Sequence, residues 1–287
     1  MEESKRIREF KDDLIKKLPF FPNDKETLFE LKGQNLQDVM VHYLHWQTRQ
    51  VPARSRRVQL APEVTSDKRW KFLKGNVSDL FEKVRNGEDL SPHLSKRAHK
   101  KGYTPSQRIR DGEVDNWEDK DQMLNTKGFH HFHLDMHIQN SGLSNRTNDV
   151  LFAKISRENF HAIAIFDHSV FDSVGVSGVM NDERTRMWDI HKKYLTLDME
   201  PGTTYISHPI SCSGHPIYLI RMSDFYVGII EDIDHKLDDR VFVNDLFDQA
   251  GLPHPKKIKL NWHIDGLDLG LLDKSSAAFF NIKQGPL

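Results

Sequence analysis

The stretch GFHHFHLDMHIQNSGLSNRTNDVLFAKISRENFHAIAIFDH, residues 128–168, decides the fold. Residues 129–138, 149–156 and 159–168 are rich in β-branched and aromatic residues and alternate in polarity, which predicts three strands. The link between the second and third strands is only Arg-Glu, which suits a hairpin, and the link before it is a polar loop. The segment therefore predicts an antiparallel meander.

The sequence on either side of this meander has a different character. Before it, apolar residues recur mainly at helical spacing. After it, residues 203–233 look strand-like, Val241 to Ala250 predicts a helix, and Asp265-Gly266 predicts a hairpin turn. We therefore expect an α+β protein with a helical N-terminal region, a small antiparallel sheet and a mixed α/β C-terminal part. The expected domains are residues 1–125, 126–200 and 201–287, of which the last two could form one domain.

Positive charge is concentrated in one part of the chain. Residues 41–110 contain 16 Lys+Arg and 6 Asp+Glu, whereas the whole chain contains 41 and 42. Basic stretches interrupted by Pro or Gly suit contacts to a phosphate backbone, although a merely solvated surface would look the same. The candidate nucleic-acid-binding residues are Arg49, Arg54, Arg56, Arg57, Lys96, Arg97, Lys100, Lys101, Arg108 and Arg110. The acidic segment 224–248 could contact these basic residues and so restrain whatever activity depends on them.

Composition excludes several classes of protein. The single cysteine, Cys212, excludes a disulfide framework within the chain and a cysteine-based zinc module. Apolar stretches are far shorter than the roughly 20 residues of a membrane span, and the charged N-terminus does not resemble a signal peptide. No phosphate-binding or dinucleotide-binding glycine motif occurs. We expect a cytoplasmic protein without a membrane partner.

Histidines are concentrated in the predicted meander. Of the 16 in the chain, six lie between His130 and His168. If residues 129–138 form one strand, His131, His133 and His137 share a face with Asp135, and the other face is mainly apolar. Structural histidines are one interpretation of this pattern. A functional site is the other, because a row of unpaired imidazoles is costly to bury.

One functional interpretation is a metal site. His131 and His133 could bind one cation, with Asp135 or His168 as a third ligand, and zinc or manganese would be the metal. The pentapeptide HFHLD resembles the HxHLD signature of TatD-type metal-dependent deoxyribonucleases, and HxH also resembles the first metal motif of cupins. The TatD resemblance implies a (β/α)₈ barrel of about 250 residues, but too few residues follow the motif, and no crossover helix precedes the next predicted strand.

The favoured interpretation needs no cofactor. RNA can be cleaved by a base for the 2′-hydroxyl, an acid for the leaving oxygen and a cation for the charged transition state. The candidate catalytic residues are His131, His133, Arg146 and His168, which the meander brings to one sheet.

This organisation of helices followed by a sheet bearing His and Arg resembles the ribonuclease toxins of the RelE, barnase and colicin type. DQMLNTKGFHHFHL and NRTNDVLFAKI also resemble a group of uncharacterised bacterial and prophage proteins. The resemblance implies an endoribonuclease with a toxin or phage-defence role and RNA as its partner. An alternative function is nucleic-acid binding without catalysis. The sequence leaves open whether an inhibitory partner protein exists and which oligomeric state the protein adopts.

Overall fold

The computed structural model describes residues 4–115, 118–172, 178–197, 199–204 and 209–287. These residues form eleven α-helices and seven strands, so the α+β class is confirmed. The helices are α1 Lys5–Lys17, α2 Lys25–Gly33, α3 Leu36–Thr48, α4 Pro62–Thr65, α5 Trp70–Asn86, α6 Lys96–Lys100, α7 Ser106–Arg110, α8 Gln122–Lys127, α9 Asp182–Thr196, α10 Ile217–Asp234 and α11 Arg240–Gln249. The strands are β1 Arg57–Leu60, β2 His130–His133, β3 Asp149–Ile155, β4 Asn159–Asp167, β5 Leu260–Asp265, β6 Asp268–Asp273 and β7 Phe279–Lys283. No helix among the described residues is long and apolar enough to cross a membrane.

The chain divides into two compact units, each assembled from separate segments. Unit 1 comprises Met1–Thr48, Arg97–Lys120 and Ile210–Leu287, and unit 2 comprises Arg49–Lys96 and Asp121–Pro209. These segments differ from the three consecutive domains that the sequence suggested. The difference arises because α10, late in the chain, packs on α3, and β1, early in the chain, pairs with β4.

Unit 2 is built on a four-stranded sheet with the order β1-β4-β3-β2. The expected meander is present, since β2 pairs antiparallel with β3 and β3 pairs antiparallel with β4. The parallel edge strand β1 lies in the basic segment, where the sequence pattern did not predict a strand. Four residues carry too short a pattern to predict a strand, and their pairing partner lies about a hundred residues further along the chain.

The strand β2 is shorter than expected and ends at His133. At Leu134 the backbone groups bond to side chains instead of to a neighbouring strand. The N–H donates to Thr147 Oγ1 at 3.3 Å, and the carbonyl accepts from Asn76 Nδ2 at 2.9 Å. Asp135 Oδ1 then accepts from the His137 N–H at 2.8 Å, which forms a local turn. The expectation that Asp135 and His137 share a strand face with His131 and His133 is therefore wrong.

Both faces of the unit 2 sheet are covered. On one face Phe132 lies 5.3 Å from Phe160 and Phe81 of α5 lies 6.1 Å from Phe160, measured between ring centroids. On the other face Phe152 and Ile163 pack in one cluster with residues of α9. His131 stands opposite Phe152 in the β2–β3 ladder, so the histidine face is also an interior face.

Unit 1 combines α1, α3, α10 and α11 with the antiparallel sheet β5-β6-β7 around one core. The hairpin around Asp265-Gly266 is confirmed, and so is the helix near 241–250. Residues 217–233 were expected to be strand-like but form α10, and residues 205–208 lie outside the described part. The buried positions Leu219, Tyr226 and Ile230 follow helical spacing. Burial of this apolar face favours the helix more strongly than the β-branched and aromatic residues favour a strand.

Three imidazole rings lie in contact inside unit 1. The ring centroid of His215 is 4.9 Å from that of His42 and 4.9 Å from that of His45. Burial lowers the pKa of His42 to about 4, with Lys120 also lowering it and Asp119 opposing the shift. Burial lowers the pKa of His215 far below its ordinary range, and His42, His45 and Lys120 add to the effect. His42 and His215 are therefore neutral in the folded unit at physiological pH.

The stability of unit 1 should decrease on acidification. An unfolded histidine binds its proton near pH 6.5, whereas folded His42 binds it only near pH 4. Between these pH values the unfolded chain therefore holds more protons, and the free energy of unfolding decreases as the pH is lowered. His42 alone should account for about 2–3 kcal/mol of this loss of stability, a figure that is reduced because the side chain is only half-buried. Urea unfolding at several pH values measures this slope. The variant His42→Phe should flatten it, and an unchanged slope would contradict the assignment to His42.

Candidate active site

The candidate site lies at the end of the unit 2 sheet where β2 and β4 end and β3 begins. His133 is the last residue of β2, and His168 follows directly after β4. Their rings are stacked, with centroids 5.3 Å apart and planes inclined by 28°. The sequence-predicted pair His133 and His168 is therefore brought into contact, because the antiparallel meander places these two chain positions at the same sheet end.

His168 is half-buried and has one ring nitrogen fixed by the backbone. Its Nδ1 lies 3.2 Å from the carbonyl oxygen of Asn148, the second residue before Val150 of β3. A carbonyl can only accept, so Nδ1 carries the proton and donates it. That bond leaves Nε2 of the neutral ring as the proton acceptor. The ring edge meets Phe171 at a centroid distance of 5.5 Å, which restricts its rotation.

His133 is almost completely buried, with 4% of its surface exposed. Its pKa is lowered to about 3, mainly by burial and also by the charges of Arg146, His131 and His168, while a hydrogen bond to the Thr147 backbone opposes the shift. His133 is therefore a neutral imidazole at physiological pH. Its backbone carbonyl accepts a hydrogen bond from His93 Nδ1 at 3.0 Å, which anchors the end of β2.

Arg146 supplies the positive charge of the site. It lies in the loop between β2 and β3 and donates from Nη1 to the carbonyl of Leu94 at 2.8 Å. The side chain is exposed, although partial burial of the guanidinium lowers its pKa. Arg146 and His168 both act electrostatically on His133, so the positive charge of Arg146 lies on the side of the sheet end where the two histidines meet.

His131 packs against two phenylalanine rings next to the histidine pair. Its ring lies 4.9 Å from that of Phe171 and 6.0 Å from that of Phe152. Nδ1 is 3.8 Å from Asp121 Oδ2, and burial lowers the ring's pKa. His131 and His168 both contact the ring of Phe171, so His131 contributes to the packing that supports His168.

The alternative metal ligands are not assembled around one point. Asp135, which would join His131, His133 and His168, uses one carboxylate oxygen in its local turn and accepts from Asn145 Nδ2 with the other at 3.1 Å. In the part of the chain that the structure describes, no group of three or more His, Cys, Asp or Glu side chains is arranged to hold a metal ion. The zinc or manganese alternative stays a prediction, which the chelation experiment below addresses.

Two of the predicted nucleic-acid-binding arginines are interior residues. Arg49 and Arg56 are 3% and 4% exposed. Arg56 donates to the backbone carbonyls of Ser156, at 2.9 Å, and Pro52, at 2.9 Å, and so connects β1 to the β3–β4 turn. The prediction that Arg49 and Arg56 present their charge to a phosphate backbone is therefore wrong, because both side chains are buried and backbone carbonyls hold that of Arg56.

Arg54 and Arg57 lie at the end of the unit 2 sheet opposite the histidine site. Arg57 pairs with Asn159 at the beginning of β4, and Arg54 precedes it by three residues. A nine-residue strand spans roughly 26 Å, so this edge is far from His168 at the end of β4. Lys96, by contrast, is exposed two residues beyond Leu94, whose carbonyl holds Arg146.

The remaining predicted basic residues belong to unit 1, where carboxylates neutralise several of them. Arg97 and Lys101 both contact Glu118. Arg108 forms ion pairs with Asp24 at 2.9 Å and with Glu26 at 2.9 Å. Lys100 and Arg110 are exposed, and Arg110 donates to Gln107 Oε1 at 2.6 Å. The ten predicted residues are therefore divided between the two units, and several of them are buried or paired with carboxylates.

The sequence prediction missed an ionic cluster at the same end of the unit 2 sheet. Arg69, at the start of α5, makes a double hydrogen bond to Asp67 at 2.8 Å for each contact and donates to Glu183 of α9 at 3.1 Å. Its Nη1 lies 3.7 Å from Asp149 and 3.7 Å from Asp167, the first residue of β3 and the last of β4. The meander register could have placed the two aspartates together, whereas nothing local in the sequence indicates Arg69.

No protein-family model, no curated protein and no solved structure matches this chain.

Proposed function

We propose that the protein is a cytoplasmic endoribonuclease whose active site is formed in unit 2 by His168 and Arg146, with His133 behind them. The observation that carries the proposal is the hydrogen bond from His168 Nδ1 to Asn148, which leaves Nε2 as a proton acceptor. The exposed guanidinium of Arg146, which acts electrostatically on His133, supports it, since phosphate recognition and transition-state charge both require a cation.

In this scheme His168 performs the proton transfer. Nε2 removes the proton of an RNA 2′-hydroxyl, and the 2′-oxygen attacks the adjacent phosphorus. The bond from phosphorus to the 5′-oxygen breaks, that oxygen takes a proton from water, and the hydroxide formed takes the proton from His168 Nε2 to restore the neutral ring. Arg146 binds the phosphate oxygens, whose negative charge increases in the transition state. The products are a 2′,3′-cyclic phosphate and a 5′-hydroxyl end.

His133 has a supporting role in the same scheme. A buried neutral imidazole beside His168 provides a stacking surface and adds no positive charge when His168 becomes protonated. A charged neighbour at this distance would disfavour that protonated form. His133 is therefore a positioning residue, and His131 lies further from the reacting groups.

The proposal is tested by incubating purified protein with single-stranded RNA and with DNA of the same sequence, each with and without EDTA. Cleavage of RNA alone, unaffected by EDTA and leaving cyclic phosphate ends, is the expected result. Cleavage that EDTA abolishes would favour the metal-dependent alternative. Salt-dependent binding without cleavage would favour a non-catalytic nucleic-acid-binding protein, and both outcomes contradict the proposal.

The substitution Arg146→Ala is expected to lower kcat/KM for RNA by about 10²-fold, because it removes the cation that faces the developing phosphate charge. Arg146→Lys should recover part of the activity. Arg57→Ala is a matched control, since Arg57 is an exposed arginine of the same unit at the opposite end of the sheet. Equal losses in the Arg146→Ala and Arg57→Ala variants would show that general charge, and not this site, determines activity.

A further inference from the structure

The end of the β3–β4 ladder places two like charges opposite each other. Asp149 and Asp167 are register partners in this antiparallel pair. Like charges directly opposite each other destabilise a strand pair. The pKa of Asp149 is raised by burial and by the neighbouring carboxylates Asp167, Asp67 and Glu183. The ladder therefore ends on a pair that repels itself unless a cation lies between its members.

Arg69 is that cation. Its Nη1 is 3.7 Å from a carboxylate oxygen of each aspartate, and the side chain is 13% exposed. Its other nitrogens are held by Asp67, by Glu183 and by the backbone carbonyl of Ile165 at 3.0 Å. A guanidinium fixed on its remaining sides cannot move away from the aspartate pair without breaking several hydrogen bonds.

The aspartate pair is directly connected to the proposed active site. His168 follows Asp167 in the chain, and Asn148 precedes Asp149. The hydrogen bond from His168 Nδ1 to the Asn148 carbonyl therefore spans the two chain positions just beyond the repelling pair. Separation of the two strand ends would lengthen this 3.2 Å contact first.

We infer that Arg69 is a positioning residue: by bridging Asp149 and Asp167 it keeps the Asn148 carbonyl on His168 Nδ1 and so maintains Nε2 as the proton acceptor. The role of Nε2 rests on the proposed function, whereas the bridging and its effect on the His168 ring do not. Arg69 touches neither substrate nor reacting atoms in this scheme, and it acts through His168.

The test compares Arg69→Gln with Arg186→Gln. Arg186 is a matched control because it contacts the same Asp67, at 2.8 Å, and the same Ile165 carbonyl, at 2.9 Å, but forms no ion pair with Asp149 or Asp167 among the contacts described. The ring ¹⁵N spectrum of His168 reports its tautomer. In the wild type and in Arg186→Gln, Nδ1 should carry the proton, whereas Arg69→Gln should show a mixture of both tautomers.

A second comparison separates charge bridging from general damage. Asp149→Asn removes one of the opposed charges, so the double variant Arg69→Gln/Asp149→Asn should regain the Nδ1-protonated tautomer. If Arg69→Gln does not fold, Arg69→Lys and Arg186→Lys give the same comparison with charge retained, and Arg69→Lys should show the larger tautomer change. A wild-type tautomer in folded Arg69→Gln, or no recovery in the double variant, would overturn the inference.

RNA cleavage provides an independent measurement. Arg69→Gln should lower kcat by about 10–100-fold with little change in KM, because misplacing a catalytic group impairs the reaction more than binding. Absence of cleavage in the wild type would refute the proposed function while leaving the tautomer comparison decisive for Arg69. An altered tautomer with full activity would instead refute the link between Arg69 and catalysis.

Discussion

Replacement of His168 by alanine is expected to abolish detectable RNA cleavage, lowering kcat by about 10²–10⁴-fold. The expectation follows from the ring geometry: Nδ1 donates to Asn148 at 3.2 Å, and Nε2 is left to take the 2′-hydroxyl proton. Without the ring, proton removal falls to water. Single-turnover cleavage of a labelled oligoribonucleotide, with RNA affinity measured separately, gives the loss in the chemical step.

Two further variants make this expectation specific to proton transfer. His168→Gln keeps a polar side chain of similar reach that cannot exchange a proton near neutral pH, so its kcat should fall nearly as far as that of His168→Ala. His254→Ala removes an exposed histidine of unit 1, which lies 2.8 Å from Asp248, and should leave cleavage unchanged. Retention of activity by both His168 variants would mean that another group performs the reaction.

The fold was predictable where its pattern is local. The meander followed from alternation within 129–168 and short links, which together determine pairing order and direction. The parallel pairing of β1 was not predictable, because Arg57–Leu60 has no local feature that distinguishes it from a loop. Helix α10 was missed because isoleucine, tyrosine and phenylalanine favour strands intrinsically, and only packing against α3 decides for a helix.

The candidate site was predictable in part for the same reason. His133, Arg146 and His168 lie within one meander, so strand order alone brings them to one sheet end. Arg69 reaches that end from a different segment, and its role depends on side-chain contacts that no pattern encodes. The prediction of a basic nucleic-acid-binding surface was wrong for Arg49 and Arg56. Charge counts contain no information about burial, and both side chains are buried.

Replacement of Lys120 by methionine is expected to destabilise unit 1 by about 3–5 kcal/mol. Lys120 and Asp119 form an ion pair of 2.7 Å in which 4% and 1% of the side chains are exposed. The second carboxylate oxygen, Oδ2, has no hydrogen-bond partner among the described residues. Removing the ammonium therefore leaves a buried, uncompensated negative charge. The free energy of unfolding from urea titrations, followed by the fluorescence of the buried Trp262, measures the loss.

The lysine stem contributes packing as well, and this contribution must be separated from the charge. Gly214 has φ +79°, and a Cβ there would lie 2.8 Å from Lys120 Cδ, so the stem fills its space closely. Methionine preserves most of that volume. Asp119→Leu/Lys120→Met, which removes both charges, should therefore be markedly more stable than Lys120→Met alone.

The pH dependence of the Lys120→Met variant identifies the cause of its instability. Without the ammonium, the buried Asp119 carboxylate has no cation beside it, and burial disfavours its charged form relative to the unfolded chain. The folded variant then binds the extra proton, so its deficit relative to the wild type should shrink as the pH falls and grow as the pH rises. A packing defect alone would give a deficit independent of pH. A double variant less stable than Lys120→Met would show that the ion pair stabilises unit 1 beyond the mutual compensation of its charges.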